Sequence, residues 1–271
     1  MEPTVAITGA TSGIGRAVAE AFVEAGAFVA VSGRDGNAVD RTVAELNGEG
    51  DNGGGGDSED AAGADGGHAS GEADGEDVHG GENDEDAPDA AGTAWGDRVD
   101  VRDEFDIERF FQRAAREGGP IDVVFANAAV FHAGPGERPT DDLSYADYDD
   151  TMRTNARGVF ATVTEAVPHL ADDARVIVPS GSVAHESKAG MGAYAVSKAA
   201  AEAVARGFAA DLDATVGVVD PGLVATDLTG MERARDPESV APLFVWAATE
   251  APAADLNGGR LGLREWKKAT R

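Results

Sequence analysis

Two side chains that could move a proton, Tyr194 and Lys198, lie four residues apart in the segment Tyr194-Ala195-Val196-Ser197-Lys198. On a helix, this spacing places both side chains on one face. A tyrosine with its usual pKa of about 10 is a poor base at neutral pH. A neighbouring ammonium favours the phenolate and lowers that pKa. The pair is therefore typical of a tuned general acid/base, and the alternative is a surface tyrosine beside a solvated lysine.

Ser182 strengthens the catalytic interpretation, because it lies upstream of Tyr194 and just past an apolar run, residues 175–179, that predicts a strand.

A glycine-rich turn near the start of the chain supplies a second feature. Its sequence is Thr8-Gly9-Ala10-Thr11-Ser12-Gly13-Ile14-Gly15, after a predicted strand and before a predicted amphipathic helix. Glycines let the backbone approach a pyrophosphate, and a helix N-terminus offers free N–H groups. Taken alone, the motif could also be a tight turn without a ligand.

Three further segments follow predicted strands. They are Asp100, Ala126-Asn127-Ala128-Ala129 and Asp220-Pro221-Gly222-Leu223-Val224-Ala225-Thr226. Together with the glycine turn and the Ser-Tyr-Lys spacing, they resemble the short-chain dehydrogenase/reductase family in its compact single-domain form. The resemblance extends over nearly all of residues 3–263. The second segment differs from the family's Asn-Asn-Ala-Gly at two of its four positions, because alanines replace the first Asn and the Gly.

The resemblance implies an oxidoreductase that interconverts a carbonyl compound and an alcohol by hydride transfer with NAD(P). It implies that Tyr194 protonates the carbonyl oxygen and that Ser182 hydrogen-bonds it. Lys198 is implied to lower the pKa of Tyr194 and to bind the nicotinamide ribose, and Asn155 to hold a water that relays protons. Because the interval between Ser182 and Tyr194 is one residue shorter than usual, Ser180 is an alternative. The implied catalytic residues are Asn155, Ser182, Tyr194 and Lys198, and the implied cofactor-binding residues are Gly9, Thr11, Ser12, Gly13, Ile14, Gly15, Arg34, Asp100, Asn127, Tyr194, Lys198, Pro221, Gly222, Val224 and Thr226.

The segment Val31-Ser32-Gly33-Arg34-Asp35 bears on the choice of cofactor. An NAD site generally has a carboxylate at the end of the second strand, which accepts from the ribose 2′-hydroxyl, whereas Gly33 has no side chain. Arg34 matches a 2′-phosphate in charge and forked geometry, so NADP is the preferred cofactor. NAD is the alternative if Asp35 reaches the ribose, and Arg34 is then a solvated turn residue. Arg16 on the first helix is a further candidate contact with either cofactor.

Alternating strands and helices must position these residues. Apolar runs bounded by loops predict buried parallel strands, and apolar side chains at helical spacing predict helices. The predicted strands are residues 4–7, 27–32, one that ends at 99–101, 121–126, 175–179, 215–219 and 260–263, and the predicted helices are residues 16–25, 37–46, 104–117, 144–170 with a bend near Gly158, 192–212 and 237–249. This order predicts an α/β, doubly wound Rossmann fold, with one parallel sheet of about seven strands and helices on both faces.

Residues 47–94 interrupt the alternation. They contain fifteen Asp or Glu, fourteen Gly and no Lys or Arg, so they bury too little apolar surface to offset the entropy lost on ordering. We predict a disordered acidic insert within a single domain, residues 1–271, at the edge of the sheet remote from the ligand. His68 and His79 in this insert are predicted to be solvated, and no metal site is predicted.

The composition limits the partners. The formal net charge is −28 and only four lysines occur, so the field of the protein repels nucleic acid and anionic membranes. Because there is no cysteine, disulfides and thiolate metal sites are excluded. No apolar run is long enough to span a membrane, and we expect a cytoplasmic protein without a signal peptide. The lysine-poor acidic surface resembles that of proteins from salt-loving organisms, in which salt screens the self-repulsion.

The substrate is expected to be a small carbonyl compound or alcohol. His132 and His185 are candidates for its cleft, or else polar loop residues. The basic tail, residues 264–268, either docks on another subunit of a homodimer or homotetramer or is solvated. Three alternative functions stay open: an NAD-linked alcohol or sugar dehydrogenase, a dinucleotide-sensing protein without turnover, and an acidic interaction protein that works through residues 47–94. The intact catalytic set argues against the sensor, which has no need of a tuned proton donor.

Overall fold

The computed structural model describes residues 2–49 and 92–271, and seven strands of this part of the chain form one sheet. The strands are β1 (Thr4–Thr8), β2 (Phe28–Gly33), β3 (Thr93–Arg98), β4 (Ile121–Phe125), β5 (Leu170–Pro179), β6 (Thr215–Asp220) and β7 (Arg260–Gly262). Their order across the sheet is β3-β2-β1-β4-β5-β6-β7, and neighbouring strands are parallel. The chain changes direction across the sheet between β1 and β4. In open parallel sheets, ligands bind at this point, beyond the carboxyl ends of the strands.

Helices cover both faces of the sheet. They are α1 (Gly13–Glu24), α2 (Gly36–Leu46), α3 (Glu104–Gly118), α4 (Tyr145–Met152), α5 (Gly158–Ala166), α6 (Gly192–Asp211), α7 (Pro237–Thr249), α8 (Ala253–Leu256) and α9 (Leu263–Ala269). On one face, Phe22 of α1 and Phe244 of α7 pack against Phe125 of β4. On the other face, Phe110 and Phe111 of α3 lie in a core shared with α5 and α6. The predicted doubly wound fold is confirmed.

Strand β3 corrects the predicted strand at 99–101 and the boundaries of the predicted insert. The strand occupies residues 93–98, and Asn47 exchanges hydrogen bonds with the backbone of Ala94 at 2.7 and 3.0 Å. Residues 47–49 and 92–94 therefore belong to the described fold: the N–H groups of residues 47–49 donate to carbonyl oxygens of α2, and those of residues 92–94 donate to Val23, Ala27 and Asn47. Residues 50–91, with both predicted solvated histidines, lie outside the described residues.

The long predicted helix 144–170 is interrupted where a bend was expected. Between α4 and α5, residues Arg153–Arg157 form a π-helical turn, which carries Asn155. A short 3-10 turn, Val167–His169, ends this helical segment, and β5 begins at Leu170 rather than at the predicted residue 175. Turns of this π type often occur at functional sites.

Within the basic tail, Trp266 is partly buried and the four charged residues are exposed, so docking on another subunit stays a prediction. Leu263 and Trp266 of α9 pack against the core that α1 and α7 share. The sequence signal for this packing is the pair Leu263 and Trp266, which are three residues apart and so lie on one face of a helix among charged residues. Among the helices of residues 2–49 and 92–271, none combines enough length with enough apolar character to cross a bilayer.

Candidate active site

The glycine turn joins β1 to α1 and packs closely against other loops. A Cβ on Gly9 would lie 2.8 Å from the Cα of Ala128, and a Cβ on Gly15 would lie 2.4 Å from the carbonyl oxygen of Gly9. Gly9 and Gly13 have positive φ angles of 67° and 55°. The turn therefore needs glycine both for its backbone conformation and for these contacts.

The amino end of α1 opens on this turn. Ser12 is the N-cap residue, and its side chain makes no capping hydrogen bond within the described residues. The first turn of the helix contains no acidic residue. Uncapped N–H groups and the positive end of the helix dipole bind anions. A glycine cradle beside an uncapped helix fits the pyrophosphate of a dinucleotide.

A cleft of about 230 Å³, here called the cofactor cleft, extends from this turn toward β2 and β3. Its lining includes Gly9, Thr11, Ser12, Gly13, Ile14, Gly33, Arg34, Val99, Val101, Asn127 and Thr226. Asn127 ties the turn to the end of β4, because its Nδ2 donates to the carbonyl oxygens of Thr8 and Gly9 at 3.1 and 2.8 Å. The cleft thus collects most of the residues predicted to bind the cofactor.

Arg34 and Asp35 have different partners at the end of β2. Asp35 is the N-cap of α2, and its carboxylate accepts from the amides of Asn37 and Ala38 at 2.9 and 3.3 Å. Arg34 is exposed and lines the cofactor cleft. Arg16 forms ion pairs with glutamates of α1 and α2. Of these three candidates, Arg34 alone is among the described residues that line the cofactor cleft.

Asp100 lies beside the cleft with its carboxylate held by the protein. Arg102 donates to it through Nε at 2.9 Å and through Nη2 at 2.7 Å. These hydrogen bonds hold the pKa of Asp100 below its usual value. Its neighbours Val99 and Val101 line the cleft. The contact of Asp100 with an adenine stays a prediction.

A second cavity of about 370 Å³, here called the catalytic cavity, lies beyond the carboxyl ends of β5 and β6. Its lining includes Phe131, Pro179, Ser180, Ser182, Lys188, Met191, Tyr194, Lys198, Pro221, Gly222, Val224 and Met231. It shares Ile14, Asn127, Ala129, Thr226 and Leu228 with the cofactor cleft. The two therefore adjoin, and together they form a groove that leads from Arg34 to Tyr194.

Tyr194 and Lys198 lie on one face of α6, with the Nζ of Lys198 5.8 Å from the ring centroid of Tyr194. Lys198 is buried, and its Nζ donates to the carbonyl oxygen of Pro179 at 3.0 Å. Burial lowers the pKa of Lys198 to about 8, although the negative charge of Glu202 opposes this shift. Burial also raises the pKa of Tyr194 to about 12. The expected lowering of the Tyr194 pKa by Lys198 is therefore wrong in this structure, because desolvation of the phenol dominates.

The two candidate serines differ in how their hydroxyl groups are used. The Oγ of Ser180 donates to Oε1 of the buried Glu202 at 2.6 Å, so its hydrogen is committed. The Oγ of Ser182 lies 2.5 Å from the Nζ of Lys188. An ammonium has no acceptor, so Ser182 accepts from Lys188 and directs its own hydrogen to the carboxylate of the exposed Glu186. Hydrogen bonds from Lys188 and Ser182 hold the pKa of the exposed Glu186 below its usual value.

Asn155 joins the loop after β4 to α6. Its Oδ1 accepts from the backbone N–H of Val130 at 2.7 Å, and its Nδ2 donates to the carbonyl oxygen of Val130 at 2.9 Å and to Ser197 Oγ at 3.0 Å. The π-helical turn brings this side chain to the residue directly before Lys198. The structure therefore gives Asn155 a bracing contact, and its hold on a relay water stays a prediction.

Sequence reasoning missed Phe131, whose ring stacks on Tyr194 with the centroids 4.5 Å apart. A phenylalanine in a loop has no distinguishing pattern, and only its place after β4 could have pointed to the cavity. The two histidine candidates are held by other side chains. His132 Nε2 lies 2.8 Å from a carboxylate oxygen of Asp150, and His185 accepts from an arginine of β7.

Comparisons with known proteins agree with this geometry. A family model described as short chain dehydrogenase matches residues 3–57, and one described as Enoyl-(Acyl carrier protein) reductase matches residues 78–248. A hydroxynaphthalene reductase-like protein of Metarhizium brunneum is 34% identical over 135 residues, which are 48% of this chain and 49% of that protein. A dehydrogenase of Cochliobolus heterostrophus is 33% identical over 172 residues, which are 62% of this chain and 70% of that protein. The match thus spans about half the length of the first of these relatives.

The fold is also found among solved structures. A short chain dehydrogenase from Burkholderia cenocepacia, solved in complex with NADP, superimposes with a TM-score of 0.72. The superposition covers 96% of this chain and 95% of that one, at 24% sequence identity. At this level of identity the likeness shows the fold alone.

Proposed function

The chain belongs to the short-chain dehydrogenase/reductase family, and on that premise we propose that it interconverts a carbonyl compound and an alcohol with NADP(H). The observation that carries the proposal is the groove itself. One end is the glycine cradle with Arg34, and the other holds Ser182, Tyr194 and Lys198 on one cavity wall. A binding protein without turnover has no need of the second end.

The residues of the cofactor cleft fit a nicotinamide dinucleotide. When bound, this cofactor supplies or accepts the hydride. The N–H groups of the turn and of the amino end of α1 would bind the pyrophosphate, and the loop of residues 221–226 would line the nicotinamide end. Arg34 would bind the 2′-phosphate of NADP, since guanidinium groups match phosphates in charge and geometry. The contact of Asp35 with α2 supports this preference, because two backbone N–H groups of the helix hold its Oδ1.

Tyr194 is the proposed proton donor to the carbonyl oxygen. Burial raises its pKa to about 12, so it keeps its proton at neutral pH and suits the reduction of a carbonyl group. Ser182 would donate a second hydrogen bond to the same oxygen by turning its hydrogen away from the exposed Glu186, while Lys188 holds its hydroxyl oxygen. Lys198, one helical turn from Tyr194, would bind the nicotinamide ribose and hold positive charge beside the phenol.

Replacement of Tyr194 by Phe tests the proposal. Removing a positioned proton donor typically costs about 10²- to 10⁴-fold in rate, so we expect Tyr194→Phe to lose most turnover. The variant should still bind NADPH, because the cofactor cleft is untouched. Oxidation of NADPH with a panel of aldehydes and ketones measures turnover, and nicotinamide fluorescence measures binding.

Tyr145→Phe is the matched control, since Tyr145 is 91% exposed. It should keep both turnover and binding. Near-full activity of Tyr194→Phe would contradict the assigned chemistry. A folded wild-type chain that binds neither NADPH nor NADH would contradict the proposed function as a whole.

A further inference from the structure

A single guanidinium group, on Arg260 of β7, reaches three segments that surround the catalytic cavity. Its Nη1 donates to Glu202 Oε1 at 2.7 Å and to His185 Nδ1 at 2.7 Å. Its Nη2 donates to Asp220 Oδ2 at 2.7 Å. Because arginine only donates, the Nδ1 of His185 is an acceptor and carries no hydrogen. Arg260 thus joins β7 to α6, to the end of β6 and to the loop after β5.

The first partner, Glu202, belongs to the helix that carries the proposed proton donor. It lies four residues after Lys198 on α6, so both side chains project from the same face. Its carboxylate is buried and also accepts from Ser180 Oγ at 2.6 Å. Through Glu202, Arg260 fixes the middle of α6 against the end of β5.

The other two partners adjoin or belong to segments that line the catalytic cavity. Asp220 ends β6 directly before Pro221, and its Oδ1 accepts from the N–H of Gly222 at 2.9 Å. His185 follows Ser182 by three residues, in the loop after β5. Each partner of Arg260 is therefore within four residues of a residue that lines the cavity.

The chemistry of the cluster requires arginine. A buried carboxylate without a paired donor is strongly destabilising, and the side chains of Glu202 and Asp220 are only 12% and 21% exposed. A guanidinium is planar and presents five donors in a fixed fork, whereas an ammonium is a compact point charge. Lysine at position 260 would keep the charge but could not hold three acceptors at set angles.

We infer that Arg260 is a positioning residue for the proposed reaction: through Glu202, Asp220 and His185 it holds α6, the loop that carries Ser182 and the loop that begins at Pro221 around one cavity. The inference rests on the proposed function. Arg260 is not among the residues that line the cavity, and it does not belong to the predicted catalytic set.

Full-length Arg260→Met and Arg260→Lys variants test this role. A misplacement of about 1 Å can cost about 100-fold in rate, so we expect kcat to fall by about 10- to 100-fold in Arg260→Met and by less in Arg260→Lys. The probe reaction is NADPH oxidation with 4-nitrobenzaldehyde. Hydrogen exchange followed by mass spectrometry should show faster exchange in residues 180–188 and 220–226.

Arg175→Met is the matched control. Arg175 of β5 also ties elements together, because it donates to the carbonyl oxygens of Ala247 and Ala251 at 3.0 and 2.7 Å. It pairs with Thr215, at the amino end of β6, and so lies away from the cavity. We expect this variant to lose stability but to keep kcat within about twofold below its melting temperature, since distant sites are nearly independent.

A pH profile separates positioning from a merely structural defect. Glu202→Gln removes a negative charge near Lys198, which lowers the pKa of Lys198. The alkaline limb of the pH profile of kcat should therefore move to lower pH. Arg260→Met removes a positive charge from the same cluster, which raises the pKa of Lys198, so the alkaline limb should move to higher pH. The charged and titratable groups that face the cluster are Tyr194, Lys198 and Glu202 of α6, Asp220 of β6, Arg260 of β7 and His185 of the loop after β5.

Opposite shifts of the limb, together with the fall in kcat, would support the inference. An Arg260→Met variant that keeps kcat within about twofold of the wild type, or that shifts the limb in the same direction as Glu202→Gln, would overturn it. A failure of the proposed function is distinct, because the wild-type chain itself would then not oxidise NADPH. In that case hydrogen exchange decides: unchanged exchange in both loops of Arg260→Met overturns the positioning role, and selective acceleration supports it.

Discussion

The cofactor cleft and the catalytic cavity share a wall but are built in different ways. The cofactor cleft depends on side chains that are missing: a Cβ on Gly9 or Gly15 would come within 2.8 Å of neighbouring backbone atoms. The catalytic cavity depends on side chains that are present and paired. Its walls are held by ionic and polar contacts such as those of Arg260, Glu202 and Asn155.

This contrast sets what each region tolerates. A region shaped by close backbone approach is sensitive to added atoms, because packed interiors relax only in part. A region shaped by buried charges is sensitive to atoms removed, since each charge left unpaired keeps its desolvation cost. Added methyl groups should therefore damage the cofactor cleft, and removed charges should damage the catalytic cavity. Lys198 is the informative exception, because its burial carries a cost while its charge serves the proposed chemistry.

Lys198→Met should separate stability from activity. The native pKa of Lys198 is about 8 against 10.5 for a free lysine, so burial of its ammonium opposes folding at neutral pH. We expect Lys198→Met to lose turnover and to raise the free energy of unfolding at pH 7 by up to about 3 kcal/mol. Denaturant unfolding in the absence of nucleotide measures this change.

The pH dependence of the free energy of unfolding tests whether burial of the Lys198 ammonium opposes folding. Between about pH 8 and 10.5 the native wild-type chain has released the Lys198 proton and the unfolded chain has not, so the free energy of unfolding rises with pH. Lys198→Met should lack this rise. Lys267→Met removes the same charge from an exposed site on α9 and should retain it. Lower stability of Lys198→Met at pH 7 would contradict the inferred cost of burial.

Gly15→Ala should weaken the binding of NADPH in the cofactor cleft. The added Cβ would lie 2.4 Å from the Gly9 oxygen and 2.5 Å from Asn127 Nδ2. Such overpacking costs about 1–3 kcal/mol, which corresponds to NADPH binding weakened by about 10- to 100-fold. In Gly207→Ala, on α6, the Cβ meets nothing within 4 Å. This control should leave binding unchanged and stabilise the chain by about 0.5–1 kcal/mol, and equal binding by the two variants would refute the packing argument.

Arg34→Ala should have the smallest effect and the most selective one. Loss of an exposed hydrogen bond to a charged group costs about 1.5 kcal/mol, so NADPH should bind about tenfold more weakly. NADH binding should not change, since NADH has no 2′-phosphate. Arg41→Ala, which removes the same charge from the exposed surface of α2, should affect neither cofactor. Parallel weakening of NADPH and NADH by Arg34→Ala would count against the assigned phosphate contact.

Predictions from the sequence were best where a pattern is local. The glycine turn and the Tyr194–Lys198 pair depend on neighbours in the chain, and the structure brings both to one groove. The third strand was predicted to end at residues 99–101 and instead occupies residues 93–98, because its position is set by pairing with β2, on the other side of a long acidic segment of the chain. The packing of Trp266 in the tail was missed for a similar reason, since it depends on a core that α1 and α7 share.

The sequence by itself determined the alternation of strands and helices, the glycine cradle and the helical spacing of the proposed acid/base pair, because each is written in residues at most a few positions apart. Only the tertiary structure decided which glutamate each of the two serines donates to, that Asp35 caps α2 while Arg34 lines the cofactor cleft, and that Arg260 joins three segments. It also decided the direction of the Tyr194 pKa shift. Burial and the pairing of distant side chains set these properties, and neither leaves a periodic trace in the sequence.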